Sequence, residues 1–177
     1  MLPDAPNLRT AVFRALAACL DLPPESPEAA AMLLRAYADP PPPQAPPETN
    51  LCFYDLSPDP AAPMLTERDV HRGAHAIFRF MPYSLTLVCY GPDCESNALM
   101  IRENLFIDGA RRPRAILRSA GIYPVPPAAP PVVLYEEEGA RFRKRADLSV
   151  ALRIRDDREG LPADPLDIPP EVDIRIL

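Results

Sequence analysis

One stretch near the C-terminal end alternates over ten positions between apolar residues and residues that are polar, except for Ala151: Ala146-Asp-Leu-Ser-Val-Ala-Leu-Arg-Ile-Arg155. The apolar series is Ala146, Leu148, Val150, Leu152 and Ile154. Because successive side chains of a β-strand point to opposite faces, this period of two predicts an antiparallel strand. One face of that strand is expected to be buried and the other to contact water.

The residues just before this strand predict its first partner. Val132-Val-Leu-Tyr-Glu-Glu-Glu138 has the composition of a strand, and Glu138-Gly139-Ala140 that of a turn. Arginines at 141, 143 and 145 then alternate with Phe142 and Lys144. A hairpin would place this basic strand opposite Glu136 to Glu138, because opposite charges facing each other across two strands attract.

Further strands are predicted upstream and at the C-terminus. Ala74 to Tyr90 is rich in strand formers, with Pro82 marking a bulge or an edge. Leu51 to Leu56 reads as a short strand, whereas Ser57 to Val70 is expected to be a loop. Alternation at Val172, Ile174 and Ile176 predicts a last strand.

Four helices are expected from apolar spacing and from capping residues. They span Asn7 to Leu22, Pro27 to Tyr37 with Ser26 as N-cap, Cys94 to Phe106 with Asp93 as N-cap, and Arg112 to Ala120 started by Pro113. These elements predict an α+β fold, an antiparallel or mixed β-sheet with a long hairpin, flanked by two to four helices. Residues 1–47 are expected to hold N-terminal helices and a proline-rich spacer, and residues 48–177 the α+β domain.

Composition narrows the classes of protein. The 177 residues include 26 prolines, which must lie mostly between regular elements because proline lacks a backbone N–H and fixes φ. A formal net charge of −6 argues against general attraction to nucleic acid or to an anionic membrane. No signal peptide or membrane span is recognised, so we expect a soluble, unsecreted protein.

The residues that usually carry chemistry do not form a recognisable site. His71 and His75 have a spacing that suits zinc on a helix, but Gly73 and the following strand make a solvated strand entrance the expected alternative. No glycine-rich phosphate loop or nucleophile elbow is present. We therefore expect no catalytic residue, no metal and no cofactor.

The four cysteines are spaced too widely for a CxxC pair, and reduced, buried thiols are expected. A disulfide between Cys89 and Cys94, across the Gly-Pro-Asp turn, is the alternative.

Two charged groups are the candidate contacts with other copies of the chain or with partner proteins. They comprise Arg111, Arg112, Arg114 and Arg118 on one helix, and Glu136, Glu137, Glu138, Arg141, Arg143 and Arg145 on the hairpin. A solvated helix face and a solvated strand end remain the alternative interpretations.

The order of motifs between Tyr83 and Arg153 resembles that of a known family. Ser84-Leu-Thr-Leu-Val-Cys-Tyr-Gly-Pro-Asp93 leads into a helix, Arg118-Ser-Ala-Gly-Ile122 ends a second helix, and Arg145-Ala-Asp-Leu-Ser-Val-Ala-Leu-Arg153 follows a proline-rich stretch. In this order the chain resembles the tailed-bacteriophage neck or tail terminator proteins over about residues 50 to 177. The helix at Pro27 to Tyr37 and the proline spacer depart from that pattern.

The resemblance implies a virion structural protein without enzymatic activity, made in the host cytoplasm and found in the tail or neck. Six copies would form a ring that ends tail-tube assembly, bind the tail tube protein and the head connector, and let genomic DNA pass without specific binding or any membrane contact. One alternative is a head completion or joining protein that binds the portal. Another is a small ligand-binding or enzymatic domain that uses His71, His75 and the acidic run.

Overall fold

The computed structural model describes residues 5–37, 45–63, 65–71, 74–106, 111–138 and 141–158. Four helices are present within these ranges: α1 (Ala5–Cys19), α2 (Pro27–Met32), α3 (Cys94–Phe106) and α4 (Arg111–Ser119). The same ranges hold seven strands: β1 (Leu33–Arg35), β2 (Leu51–Pro58), β3 (Leu65–His71), β4 (Ala74–Tyr90), β5 (Ile122–Pro124), β6 (Val132–Glu138) and β7 (Arg141–Arg158).

The strands form one mixed sheet in the order β1-β2-β4-β7-β5. β3 joins the free side of β4 beyond the end of β2, and β6 joins β7 beside β5. Only β1 and β2 run parallel within the described pairs, and all the others are antiparallel. The β4–β7 pair extends from Ile77 opposite Arg158 to Tyr90 opposite Arg145 and forms the centre of the sheet.

The helices pack on one face of this sheet. Leu85, Leu87 and Cys89 of β4 are buried on that face. The inward residues of β7 share one core with residues of α1, α3 and α4. On the opposite face Thr86 and Ser149 are exposed. The predicted α+β class, with one solvent-exposed face of the sheet, is therefore confirmed.

Most of the predicted elements are present, with shifted ends at α1 and α4. α1 begins at Ala5, so Asn7 lies inside the helix rather than at its cap. α4 begins at Arg111, and Pro113 occupies its third position. The Ser26 cap is confirmed, since its hydroxyl accepts a hydrogen bond from the Ala29 N–H at 3.1 Å.

Two predictions of local structure are wrong. The helix expected through Tyr37 ends at Met32, and Leu33 to Arg35 instead pairs with β2 as β1. The loop expected from Ser57 to Val70 contains the end of β2 and most of β3. In both places backbone pairing to a neighbouring strand overrides a weak local preference.

Pro82 produces no bulge, because the β4–β7 register continues through it. Its carbonyl accepts a hydrogen bond from the Asp59 N–H at 3.0 Å, on the side of β4 away from β7. In an extended strand the N–H and C=O of a residue point the same way, so the missing donor of Pro82 faces the junction between β2 and β3. Within the described strands Pro82 therefore lies neither at a bulge nor at a sheet edge, and a central strand tolerates it because its missing donor falls in the gap between two partner strands.

Residues before the expected boundary at 47 contribute to the same sheet and core, through β1 and through α1. The spacer residues 38–44, the turn at 139–140 and the expected strand from Val172 to Ile176 lie outside the described residues. Within the described residues, no helix is both long enough and apolar enough to span a lipid bilayer.

Candidate oligomer interface

The β6–β7 hairpin brings the predicted acidic and basic residues together. Glu136 lies opposite Arg143, and Glu138 lies opposite Arg141. Residues paired across two antiparallel strands share a face of the sheet, so the side chains of Glu136 and Arg143 belong to the face that the helices leave open. The predicted pairing of the basic strand with the acidic run is confirmed.

A tyrosine from the neighbouring strand completes the charged cluster. The Tyr90 hydroxyl of β4 donates a hydrogen bond to Glu136 Oε2 at 2.9 Å. Arg145 donates to the same oxygen at 3.2 Å and to Asp147 Oδ2 at 3.0 Å. We call Tyr90, Glu136, Arg143, Arg145 and Asp147 the open-face cluster. It connects β4, β7 and β6 through side chains as well as through the backbone.

The ring of Tyr90 makes two further contacts. The guanidinium carbon of Arg143 lies 4.6 Å from the ring centroid, which is a cation–π geometry. Phe53 of β2 meets the ring edge to face, with centroids 5.9 Å apart. At the centre of the open-face cluster, the Tyr90 ring thereby contacts side chains of both β2 and β7.

The electrostatics of the cluster favour a neutral tyrosine and an ionised glutamate. The hydrogen bond from Tyr90 holds the pKa of Glu136 below its ordinary value, and the nearby arginines add to this effect. Partial burial raises the pKa of Tyr90, and so does its contact with Glu136. The tyrosine therefore stays a donor and the carboxylate stays an acceptor throughout the neutral range.

The other face of the hairpin carries exposed apolar side chains. Tyr135 and Phe142 are 69% and 74% exposed, close to a salt bridge of 2.8 Å between Lys144 and Glu95 of α3. Val132 is 56% exposed on the open face. Large apolar groups concentrated at one end of a sheet are typical of a surface that contacts another protein.

β6 also presents backbone groups that lack a strand partner among the described residues. The Arg155 N–H donates to the Gly121 carbonyl at 2.8 Å, and the Ala151 carbonyl accepts from Val125, so odd-numbered residues of β7 point toward β5 and β6. Asp147, Arg145 and Arg143 therefore bond the even-numbered residues of β6. The N–H and C=O groups of residues 133, 135 and 137 then point outward, as on an edge strand.

The predicted arginine helix lies in the helix layer rather than beside the hairpin. α4 packs on α1 and β5, and its residues Pro113 and Leu117 are buried. Arg112 and Arg118 are exposed, whereas Arg114 is half-buried and donates to the Phe106 carbonyl at 3.5 Å. The side chains of Arg111, Glu138 and Arg141 lie outside the described residues. Among the described side chains of α4, Arg112 and Arg118 are thus the exposed basic groups.

The histidines considered for metal binding and the cysteines considered for a disulfide lie outside the open-face cluster. His71 ends β3 and His75 lies in β4, opposite Val70, and their side chains are not described. All four cysteines are free and buried, as expected, and Cys89 contacts Cys52 rather than Cys94. In the part of the chain that the structure describes, no group of three or more His, Cys, Asp or Glu side chains could hold a metal ion.

Tyr90, Phe53 and Asp147 were not predicted as site residues. Tyr90 ends the polar face of a predicted strand, which is a detectable signal, but nothing in the sequence aligns it with Glu136. That contact depends on the register of three strands that are far apart in the chain.

No protein-family model matches this chain. A search of curated proteins likewise finds no match to its sequence.

Proposed function

We propose that this chain is a virion structural protein of a tailed bacteriophage, a ring-forming tail terminator or neck subunit. Its ring would end tail-tube assembly and join the tail to the head connector. The order of motifs from Tyr83 to Arg153 supports this proposal. In the fold those motifs occupy β4, α3, α4, β5 and β7.

The observation that carries the proposal is the edge of β6. An edge strand with outward N–H and C=O groups and with exposed Val132 and Tyr135 is a template for contact with another chain. Repeated copies in a closed ring would cover this edge in every subunit and leave none free. In a ring, the exposed apolar residues Val132 and Tyr135 would contact the neighbouring subunit.

Charge indicates which surface of the next copy covers the edge. Glu137 is exposed on β6, and Arg112 and Arg118 are exposed on α4. The two groups lie on different layers of one subunit, so a head-to-tail contact brings the acidic strand of one copy to the arginine helix of the next. Such a contact is heterologous and generates a ring when the rotation closes.

The net charge of −6 is compatible with a duct for DNA. A phosphate backbone is attracted strongly to surfaces rich in lysine and arginine and releases counterions on binding. A predominantly acidic subunit would let the genome pass without holding it.

The first test is the mass of the purified full-length protein in solution, measured by light scattering. A discrete oligomer, with six copies as the expected number, supports the ring. A strict monomer that adds to no tail structure would contradict it.

The second test locates the protein in the particle. Antibody labelling viewed by electron microscopy should mark the junction of head and tail, and a label at the tail tip excludes the proposal. Pull-down with tube protein and with portal protein separates the two neck roles. Capture by the tube protein supports a terminator, and capture by the portal alone indicates a head completion protein.

A further inference from the structure

Two of the four buried cysteines face each other across adjacent strands. Cys52 of β2 lies directly opposite Cys89 of β4. Both residues belong to the core, with exposures of 0% and 1%. The two thiols share a hydrogen bond, with their sulfur atoms 3.4 Å apart.

Backbone hydrogen bonds establish which kind of cross-strand pair they form. The Tyr54 carbonyl accepts from the Ala36 N–H at 2.9 Å, so Tyr54 directs its backbone groups toward β1. Cys52, two residues earlier on the same strand, points the same way and makes no ladder bonds to β4. The bond from Asp59 to Pro82 at the other end of β2 gives the same alternation.

Cys52 and Cys89 are therefore a non-hydrogen-bonded pair. In such pairs the Cα atoms are about 4.5 Å apart and the side chains are closest. Disulfides span Cα separations of roughly 4.4 to 6.8 Å, so this register suits a cross-strand bond without a shift of the strands.

We propose that Cys52 and Cys89 form an oxidation site, at which a two-electron oxidant joins β2 to β4 by an intrachain disulfide. Cys19 and Cys94 lie on helices and face no cysteine across a strand pair. This assignment replaces the Cys89–Cys94 pair that the sequence offered as an alternative. It does not depend on the proposed ring.

The step balances with an azodicarboxamide such as diamide as the oxidant. One thiol adds its sulfur and its proton across the N=N bond. The second sulfur then attacks the first, forming the S–S bond and displacing the reagent. The reagent leaves as a hydrazine that carries both protons and both electrons.

Burial affects the rate of this step. Only the thiolate attacks, and the hydrogen bond with Cys89 together with burial raises the pKa of Cys52 well above its ordinary value. Oxidation should therefore take far longer than for an exposed thiol. The bond would close a loop from 52 to 89 that contains β3 and most of β4.

The test uses the native full-length chain, reduced, freed of reductant and incubated with diamide until its free-thiol content is constant. Remaining thiols are then alkylated, and the protein is digested with trypsin and an Asp-specific protease. Cleavage before Asp93 separates Cys89 from Cys94, so the wild-type chain reports the pairing directly.

We expect the peptide Asp39–Tyr54 joined to the peptide Phe80–Pro92, with two of four thiols lost per chain. The Cys94→Ala variant should keep this cross-link and Cys89→Ala should lose it. A Cys89–Cys94 bond, a bond between chains as the main product, or retention of all four thiols would overturn the assignment. The cross-link found in the wild-type protein decides which cysteines pair, even if a variant does not fold.

Discussion

At Gly91 the backbone has a φ of 101°, a region that residues with a Cβ rarely adopt. A Cβ there would lie 2.5 Å from Asn50 Oδ1 and 2.7 Å from the Thr49 carbonyl. Asn50 cannot move away easily, because it accepts from the Asp93 N–H at 3.0 Å and donates to the Asp93 carboxylate at 2.8 Å. The turn between β4 and α3 therefore depends on glycine.

Replacing Gly91 by alanine should lower the free energy of unfolding by about 2–4 kcal/mol, from strain and steric overlap together. Gly121→Ala is the matched control. Its φ is 70°, but the nearest atoms to a Cβ are 3.5 Å away, so the cost should be only about 1–2 kcal/mol. Urea unfolding followed by circular dichroism measures both, and equal losses would contradict the steric argument.

The Cys19 thiol at the end of α1 is expected to make the fold sensitive to alkaline pH. Burial, with a smaller contribution from the charge of Asp21, raises the pKa of Cys19 from 9.0 to about 12. Above pH 9 the unfolded chain loses this proton while the folded chain keeps it. The contribution to stability is complete below pH 9 and is lost progressively as pH rises toward 12.

We predict that the free energy of unfolding of the wild-type protein falls more steeply between pH 9 and 11 than that of Cys19→Ala. The difference in slope should approach about 1.4 kcal/mol per pH unit, the value for one proton. Comparing slopes removes the loss that the alanine causes at every pH. Parallel curves would show that Cys19 titrates normally in the folded protein.

At the scale of elements, substitution by proline can test which backbone N–H groups of β6 point toward β7 and which point outward. Leu134 pairs with Arg145 and donates its N–H into the ladder, whereas the N–H of Tyr135 points outward. Leu134→Pro should destabilise the protein by about 1–3 kcal/mol, because it removes a ladder bond. Tyr135→Pro should cost much less, because an edge strand tolerates proline on its free side.

The two proline variants are adjacent and differ mainly in the direction of the lost donor, so each is the control for the other. Thermal or urea unfolding of the purified variants gives the comparison. A larger loss for Tyr135→Pro would mean that the outward edge is bonded and that β6 is not an edge strand.

Periodicity predicted the elements that bury one full face, and missed those that depend on a neighbour. β7 from Ala146 to Ile154 and β4 from Leu85 to Cys89 alternate strongly because every second residue there is buried in the core. β1 has three residues and follows directly on α2, and its strand conformation comes from parallel pairing with β2. β3 is a polar segment, Leu-Thr-Glu-Arg-Asp-Val-His, that pairs along the N-terminal part of β4.

At the scale of the whole molecule, the proposed head-to-tail contact predicts a charge swap. Glu137→Arg and Arg118→Glu should each weaken the oligomer, since each puts like charges together between copies. Each exposed pair contributes about 0.2–1 kcal/mol, and the closed ring repeats that contact in every subunit. The double variant should restore assembly, because opposite charges again face each other.

Light scattering over a dilution series measures this effect, at low salt because screening weakens exposed pairs. Glu103→Lys on the exposed side of α3 is the control for a change of charge elsewhere, and it should assemble like the wild type. Oligomers that form equally well in both single variants would rule out the contact between β6 and α4. If the single variants assemble poorly and the double variant assembles like the wild type, the contact between β6 and α4 is identified.

The sequence by itself determined the α+β class, the long hairpin and the pairing of the acidic run with the basic strand, because these follow from local alternation and turn residues. The tertiary structure decided that Tyr90 joins Glu136, that Cys52 rather than Cys94 meets Cys89, and that the arginines of α4 lie in a different layer from the hairpin. These contacts join residues distant in the chain, and they depend on strand order and register. Alternation specifies a strand's faces but not its neighbours.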